Sequence, residues 1–450
     1  MQIRIKKLLG LCFLASLIIL LPFVIRYYNG NPLFVGGEFY YNLRVSEDLS
    51  NKIFWDVLRD SHHKISFFNY VFSFFIMFLG KEFFVIVPLV LGIISLISFF
   101  YIGNFFLEEN KSFYSSAFFV FSPIFIFLFS GFNQFTLAVC LSLLSILLFL
   151  KKSYWSIPFF VLTSITSISF FILNIILMLF YSFYKRRKKL FLLNLFFGVV
   201  SLLIFFYFHN LSEIIISDFS YEQYFTAFGA EIGLSFFYFL IGLIGLFSIW
   251  KRRRGHHYFL MTIFLFFILS LFNSVAKIFL NFFLSVLSAI FLLFLIKRTW
   301  AVPNIKRFTL LLIICGVIFS TALYSDQLIK SKPGKELVKG LVFLKDEPTA
   351  VVLSHEKNNF FIEYFSNKKT LLQSKDSEQI REKIFVSRNL KETTAMLNDK
   401  RINYILITGE MKEGLVWDKP QEGLLFLLEN SKHFSKKYHS NEVEIWFFLD

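Results

Sequence analysis

Apolar runs of about 15 to 25 residues recur along this chain from residue 8 to residue 325, and no other feature restricts its folding as strongly. A run of that length in hydrocarbon has no water to satisfy its backbone, so it closes its hydrogen bonds internally as a helix. With 56% hydrophobic and 17% charged residues, the chain reads as a polytopic α-helical membrane protein. Its 67 Phe residues read as lipid-facing filler with no chemistry attached.

The net charge of +15 suggests a polyanion partner until its distribution is examined. Clusters free of Asp and Glu separate the apolar runs: Arg4/Lys6/Lys7, Lys151/Lys152, KRRKK at 185–189, KRRR at 251–254, Lys297/Arg298 and Lys306/Arg307. Together they outnumber the whole excess, whereas residues 331–450 hold cations and anions in near-equal numbers. This is the positive-inside pattern of cytoplasmic loops, and nucleic acid is not an expected partner. Cys12, Cys140 and Cys315 all lie in apolar runs, so neither a disulfide framework nor a thiolate metal site is expected. The opening MQIRIKK and its apolar stretch resemble a signal peptide. The stretch has spanning length and no small-residue cleavage pattern, so an uncleaved first helix is expected.

Charge parity then threads the chain. With the N-terminus cytoplasmic, helix 8–25 leads outward and residues 26–82 form an outer loop. Within that loop, the run 65–79 is short for a span and is placed in the interface, because a full crossing would put Lys151/Lys152 outside. Runs at 83–107, 112–129 and 133–150 follow. The 31 residues of 154–184 would make a helix of about 46 Å, too long for one crossing, so they form a hairpin. Then come 190–208, an outer loop at 209–230, 231–250, a second hairpin broken near Asn273–Lys277, and 308–325. About eleven spans result, with a membrane domain over 1–330 and an extracytoplasmic domain over 331–450.

The last 120 residues alternate differently. Strand-like TAVVLSH (349–355), KIFVS (383–387), NYILIT (403–408) and EVEIWFF (442–448) are separated by helix-like GKELVKGLVFLKD, NLKETTAMLNDK and EGLLFLLENSKHF. Asn389 followed by Glu392 reads as a capping box. A small α/β domain is expected.

Chemistry concentrates in GGEFYYNLRVSEDL (36–49), just beyond the first span. Two glycines let the backbone turn into a helix on which Asn42 shares a face with Glu38 and Arg44 can pair with Asp48. A partly desolvated carboxylate at the interface suits a general base, because desolvation raises its pKa toward the working range. The other reading of Glu38 is an ordinary charge in the first turn of a solvated helix. His62/His63 beside Asp56 and Asp60, His256/His257, and Glu213 with Asp218 are lesser candidates.

GGEFYYNLRVSEDL resembles the first outer loop of oligosaccharyltransferase catalytic subunits and, more broadly, of archaeal GT-C membrane glycosyltransferases. In those an acidic residue precedes an aromatic-Tyr-His-Leu-Arg run. SPIFIFLFSGFNQFTLAV (122–139) resembles their second outer loop, NSVAKIFLNFFLSVLSA (273–289) the later helix offering a basic residue to the lipid phosphate, and VVLSHEKNNFFIEYFSNKKTLLQ (351–373) the start of their outer C-terminal domain. The resemblance implies a GT-C-like fold and transfer of a sugar or glycan from a polyprenyl (dolichyl) phosphate donor to an acceptor on the outer face. It implies Glu38 as catalytic residue and Tyr41, Asn42, Arg44 and Lys277 as substrate-binding residues, with Lys277 steadying the departing phosphate. Lys277 also reads as a snorkelling lysine at a helix end.

The chain departs from the pattern at three places. Asn133 and Gln134 stand where the family has acidic metal ligands, and neutral amides are poor partners for a divalent cation. His355-Glu356-Lys357-Asn358-Asn359 stands where the family holds an acceptor sequon, and Asn42 replaces the motif's His. No metal or cofactor is therefore expected. One base suffices in principle, since phosphate is already a good leaving group and needs no second carboxylate to protonate it. The competing reading is a non-catalytic, transferase-like scaffold or a transporter of lipid-linked glycans. Polar groups gathered at the outer interface, with few charges at mid-membrane, favour outer-face chemistry.

The charge parity of the loops sets which residues an outside reagent reaches. A cysteine placed at Lys81 or Glu82 reacts with an impermeant thiol reagent from outside, while one at Asn110 does not. The reverse pattern overturns it.

Overall fold

The computed structural model describes residues 2–51, 67–80, 82–185, 188–208, 224–226, 230, 232–250, 257–371, 375–419 and 421–449. Asp56, Asp60, His62, His63, Glu213, Asp218 and His256 lie outside them. The chain divides into two compact units, Met1–Ile25 with Ser46–Ile329, and Arg26–Val45 with Lys330–Asp450. The outer-loop segment 26–45 thus belongs with the C-terminal residues rather than with the spans that flank it.

The described part of the first unit is mainly helical, with one isolated β-bridge between Phe225 and Leu234. Ile5–Tyr28, Ile86–Phe106, Ser274–Lys297 and the helix beginning at Pro303 are each long and apolar enough to cross a bilayer. Shorter apolar helices include Phe67–Leu79, Gln134–Leu150, Phe236–Trp250 and Tyr258–Phe272. The 154–184 stretch is indeed two helices, Ser156–Thr166 and Ile168–Lys185, parted at Ser167. The second expected hairpin breaks at Asn273, whose Oδ1 accepts from the amides of Val275 (2.8 Å) and Ala276 (3.3 Å) and starts Ser274–Lys297.

The run 112–129 is not one straight span. Glu109–Val120 and Pro123–Phe129 meet at 65°. Pro123 lacks an amide hydrogen and its ring excludes the preceding carbonyl, so the helix restarts there. Ser122 caps the new helix, accepting from the Phe125 amide at 3.2 Å.

Contacts in this unit fix which helix ends lie together. Lys7 Nζ donates to Asn110 Oδ1 at 2.9 Å, and Gly92 meets Ile19 closely, so Gln2–Tyr28 and Ile86–Phe106 run antiparallel. The chain between them therefore starts and finishes at the far end. Lys151 Nζ lies 5.5 Å from the Tyr101 ring at the same end as Lys7. The described clusters Lys7, Lys151/Lys152 and Lys297/Arg298 therefore share one end, as the positive-inside reading requires.

The second unit is α/β. A five-stranded mixed sheet has the order β2-β1-β3-β5-β4, where β1 is Val351–Leu353, β2 Lys369–Thr370, β3 Ile402–Thr408, β4 Phe434–His439 and β5 Val443–Phe448. β1 pairs parallel with β2 and β3, and β5 antiparallel with β3 and β4. Central β3 is buried along nearly its whole length, the mark of a strand covered on both faces. Leu353, Ile405, Ile407, Leu424, Trp446 and Phe448 form its main core.

Three expectations fail here. KIFVS is not a strand but the end of the helix Lys375–Val386. Ile380 and Ile384 lie four apart with Phe385 beside Ile384, while Glu378, Gln379, Glu382 and Lys383 are exposed, so the true period is helical. The short edge strand β2 was not expected. Nor was β4, which takes the end of a segment read as helix; that helix stops at Asn430. Asn389 does cap Leu390–Asp399, its Oδ1 accepting from the Glu392 amide at 3.4 Å.

Glu444 on β5 is nearly buried among Lys412 (2.9 Å), Lys436 (3.2 Å) and the Trp446 indole N–H (3.1 Å). Burial pushes its carboxyl up, but the hydrogen bonds from Lys412 and Trp446 and the two lysine charges outweigh it and hold the group below the usual carboxylate range. A depressed folded pKa contributes stability above the unfolded value that is lost as pH falls through the folded one. Urea midpoints of the C-terminal unit should therefore drop as the pH falls through and below the ordinary carboxylate range, and Glu444→Gln should flatten that drop. An identical acid profile in Glu444→Gln contradicts the assignment.

Candidate functional site

The candidate catalytic segment is anchored by a buried arginine. Arg26, 1% exposed, donates from Nε to the Pro32 carbonyl (2.6 Å), from Nη1 to that of Ser331 (2.7 Å) and from Nη2 to that of Pro333 (2.7 Å). The Gly36 amide donates to the Lys332 carbonyl at 3.0 Å, and Asn31 Oδ1 accepts from the Lys335 amide at 2.9 Å. Two chain segments some 300 residues apart are thus laced together by backbone groups.

The expected helix is present as Gly37–Asn51. Gly36 enters it at φ +86, a conformation that favours glycine, and a Cβ on Gly37 would press on Phe360 at 3.0 Å. The helix has one packed side. Tyr40 sits among Phe361, Tyr364 and Phe365 at ring separations of 5.0–5.6 Å, and its hydroxyl donates to the Phe34 carbonyl at 3.1 Å. Burial pushes the Tyr40 phenol up, so it stays a neutral donor. Tyr41 lies 5.1 Å from the Phe360 ring, and Asn42 is 5% exposed.

Arg44 does not take Asp48 as its partner. It pairs with Glu363 at 2.7 Å, and the other Glu363 oxygen accepts from Thr370 at 2.8 Å. A partner 319 residues away leaves no local trace, which is why helix spacing suggested Asp48 instead. Glu363 and Arg26 are the two residues of this site that sequence reading missed.

Glu38 is exposed in the first turn. Its own unit does not bury it. Asn42 is buried where Glu38 is not, so the two do not present a common open face. What the arrangement provides is an oriented, accessible carboxylate on a helix clamped behind it.

Lys277 belongs to the membrane unit. It lies in the first turn of Ser274–Lys297, 4% exposed, with Nζ 5.5 Å from the Tyr224 ring. Tyr224 in turn shares a 2.8 Å hydrogen bond with Ser270. The lysine is enclosed against an aromatic face rather than snorkelling to the surface. Four residues on, Asn281 donates to Ser122 at 3.0 Å and ties this helix to the bend before Pro123.

The divergent positions have structural duties. Asn133 caps Gln134–Leu150, its Oδ1 accepting from the Thr136 amide at 3.0 Å while Thr136 Oγ1 accepts from the Asn133 amide at 3.3 Å. An amide oxygen committed to a cap, beside neutral Gln134, does not fit a divalent cation. Among the described residues no group of three His, Cys, Asp or Glu is placed to hold a metal. His355 caps Glu356–Phe361, its Nδ1 accepting from the Lys357 amide at 3.3 Å, and burial holds its pKa below the usual value. Asn358 is fully buried, donating to Ser354 (3.0 Å) and accepting from Lys332 (3.3 Å).

A double-mutant cycle on Arg44→Gln and Glu363→Gln should give a coupling of about 1 kcal/mol, the upper range for a partly exposed pair. Additive effects would show that the pair does not clamp the helix.

By sequence, no family model and no curated protein matches the chain. By structure it is similar to the oligosaccharyltransferase of Archaeoglobus fulgidus in its apo form, with a TM-score of 0.62 at 12% identity over 95% of this chain and 73% of that one. The oligosaccharyltransferase AglB from Archaeoglobus fulgidus in complex with an inhibitory peptide and a dolichol-phosphate gives 0.59 at 12% identity, over 90% and 70%. ArnT from Cupriavidus metallidurans bound to undecaprenyl phosphate gives 0.53 at 11% identity, over 96% and 97%. With its apolar helices and C-terminal sheet, this chain is a multi-pass membrane protein with the fold of the GT-C glycosyltransferases.

Proposed function

We propose that this protein transfers a sugar or glycan from a polyprenyl-phosphate donor to an acceptor at the outer face of the membrane. The observation that carries the reading is Glu38, held exposed on a helix whose other side is fixed by Tyr40, Tyr41 and Arg44. The similar structures support it, since one of those proteins is bound to dolichol-phosphate and another to undecaprenyl phosphate.

In this reading the Glu38 carboxylate takes the acceptor's proton as the acceptor atom bonds to the anomeric carbon. The bond from that carbon to the phosphate oxygen breaks, and polyprenyl phosphate leaves with the electron pair. Lys277 is assigned to the donor phosphate, a charge-assisted partner for the negative charge that develops on departure. Arg44 is a positioning residue, because its guanidinium is engaged by Glu363. No step runs through a metal.

The test supplies purified protein with a panel of polyprenyl-phosphate sugars, with and without EDTA, and measures released lipid phosphate. Turnover is expected to survive chelation. Glu38→Gln keeps shape but removes the base, so turnover should fall about 100-fold or more while donor binding holds. Lys277→Ala should raise the donor KM more than it lowers kcat. Wild-type turnover by Glu38→Gln sinks the assignment, and loss on EDTA with recovery by Mg²⁺ or Mn²⁺ sinks the metal-free mechanism.

A further inference from the structure

The membrane unit holds a half-open cavity of about 1320 Å³ to which the proposed chemistry assigns no role. It is larger than the roughly 300–1,000 Å³ of a pocket for a compact soluble ligand. Phe99, Leu143, Met178, Phe279, Phe282 and Ile290 are among the residues that line it, and its lining is drawn from seven helices. Among the described residues, its charged lining is Glu108, Lys111, Lys297 and Arg298. All four lie at the end of the unit that carries Lys7 and Lys151. Lys277 is twenty residues back along the Lys297 helix, about 30 Å away at the helical rise of 1.5 Å per residue.

The rim is unbalanced toward positive charge. Lys111 pairs with Glu108 at 2.8 Å, and the hydrogen bond and charge of Lys111, with a smaller contribution from Lys297, hold that carboxyl below its usual range. The one acid is thus already neutralised. Arg298 lies 5.7 Å from the Trp300 ring, which leaves its N–H donors available to an anion, and Lys297 is exposed. Phe106, Phe247 and Phe294 line the cavity and are exposed, so hydrocarbon chains enter from the side. An apolar chamber open to lipid and rimmed by cations matches one kind of occupant, an amphiphile with an anionic head and more than one hydrocarbon chain.

We propose that this cavity binds an anionic phospholipid of the leaflet facing the basic end, with its phosphate head at Lys297 and Arg298 and its acyl chains between the Phe-rich walls. This lipid is distinct from the sugar donor: its head-group cations Lys297 and Arg298 lie at the opposite end of the membrane unit from Lys277, while the apolar wall runs back along the same helix as far as Phe279.

Native mass spectrometry tests this on the full-length protein equilibrated with equal phosphatidylglycerol and phosphatidylcholine. Wild type should retain one phosphatidylglycerol in clear preference to phosphatidylcholine. Lys297→Gln with Arg298→Gln should lower that retention about tenfold, and the charge-keeping Lys297→Arg with Arg298→Lys should restore it. Lys151→Gln with Lys152→Gln removes two cations at the same end but outside the lining, and should change retention less than twofold. Equal losses in the two Gln pairs would mean general surface charge and overturn the site. Displacement of phosphatidylglycerol by an equal amount of undecaprenyl phosphate would overturn the choice of occupant. Unaltered thermal melting of the Gln variants confirms that any loss is of binding and not of folding.

Discussion

The Arg26 guanidinium is the interaction on which the candidate site depends. It closes on three carbonyls, one from the turn that follows the first long helix and two from the stretch that opens the C-terminal residues. Hydrogen bonds from a charged donor contribute about 1.5–3 kcal/mol each, and leaving such a donor buried without them costs more than they contribute. The arginine therefore holds its partners in a single arrangement. Residues 26–45, which sequence order places in a membrane loop, become part of the α/β unit. The helix bearing Glu38 is then packed by Phe360, Phe361, Tyr364 and Phe365 and tied by Glu363, all from a segment more than 300 residues later.

The membrane unit separates its charges in the same economical way. Lys7, Lys151 and Lys297 gather at one end, where water and lipid head groups solvate them. At the other end Lys277 is enclosed against Tyr224, a placement that costs solvation and is tolerated where an aromatic face or an anion compensates. One helix carries both lysines in opposite environments. That contrast, rather than the count of charges, distinguishes a topological lysine from a candidate binding one.

Much of this was legible in the sequence because its causes are local or periodic. Apolar run length located the apolar helices, though among the described residues only four, or five with the bent pair, are long enough to span rather than about eleven; Lys7, Lys151/Lys152 and Lys297/Arg298 share one end, and Asn273 and Asn389 mark two helix starts. GGEF announced the turn and helix that carry Glu38. What was not legible depends on distant partners or short elements. Arg44 has a good local partner in Asp48 and takes Glu363 instead, because packing of the aromatic cluster brings that acid within reach. KIFVS satisfies a strand pattern over five residues, and only its longer context, with Ile380 one turn before Ile384, reveals a helix. Strands as short as Lys369–Thr370 carry no pattern of their own. The burial of Lys277 is likewise invisible, since spacing alone does not distinguish an enclosed lysine from one that reaches water.

If Arg26 makes one folding unit of two distant segments, their amides must open together. Hydrogen exchange on Arg26→Gln measures this directly in the full-length protein. Protection should fall in both 36–45 and 356–366, with little change in the membrane helix 86–106. Retained protection in either segment alone would show that each folds without the arginine, and would contradict the account.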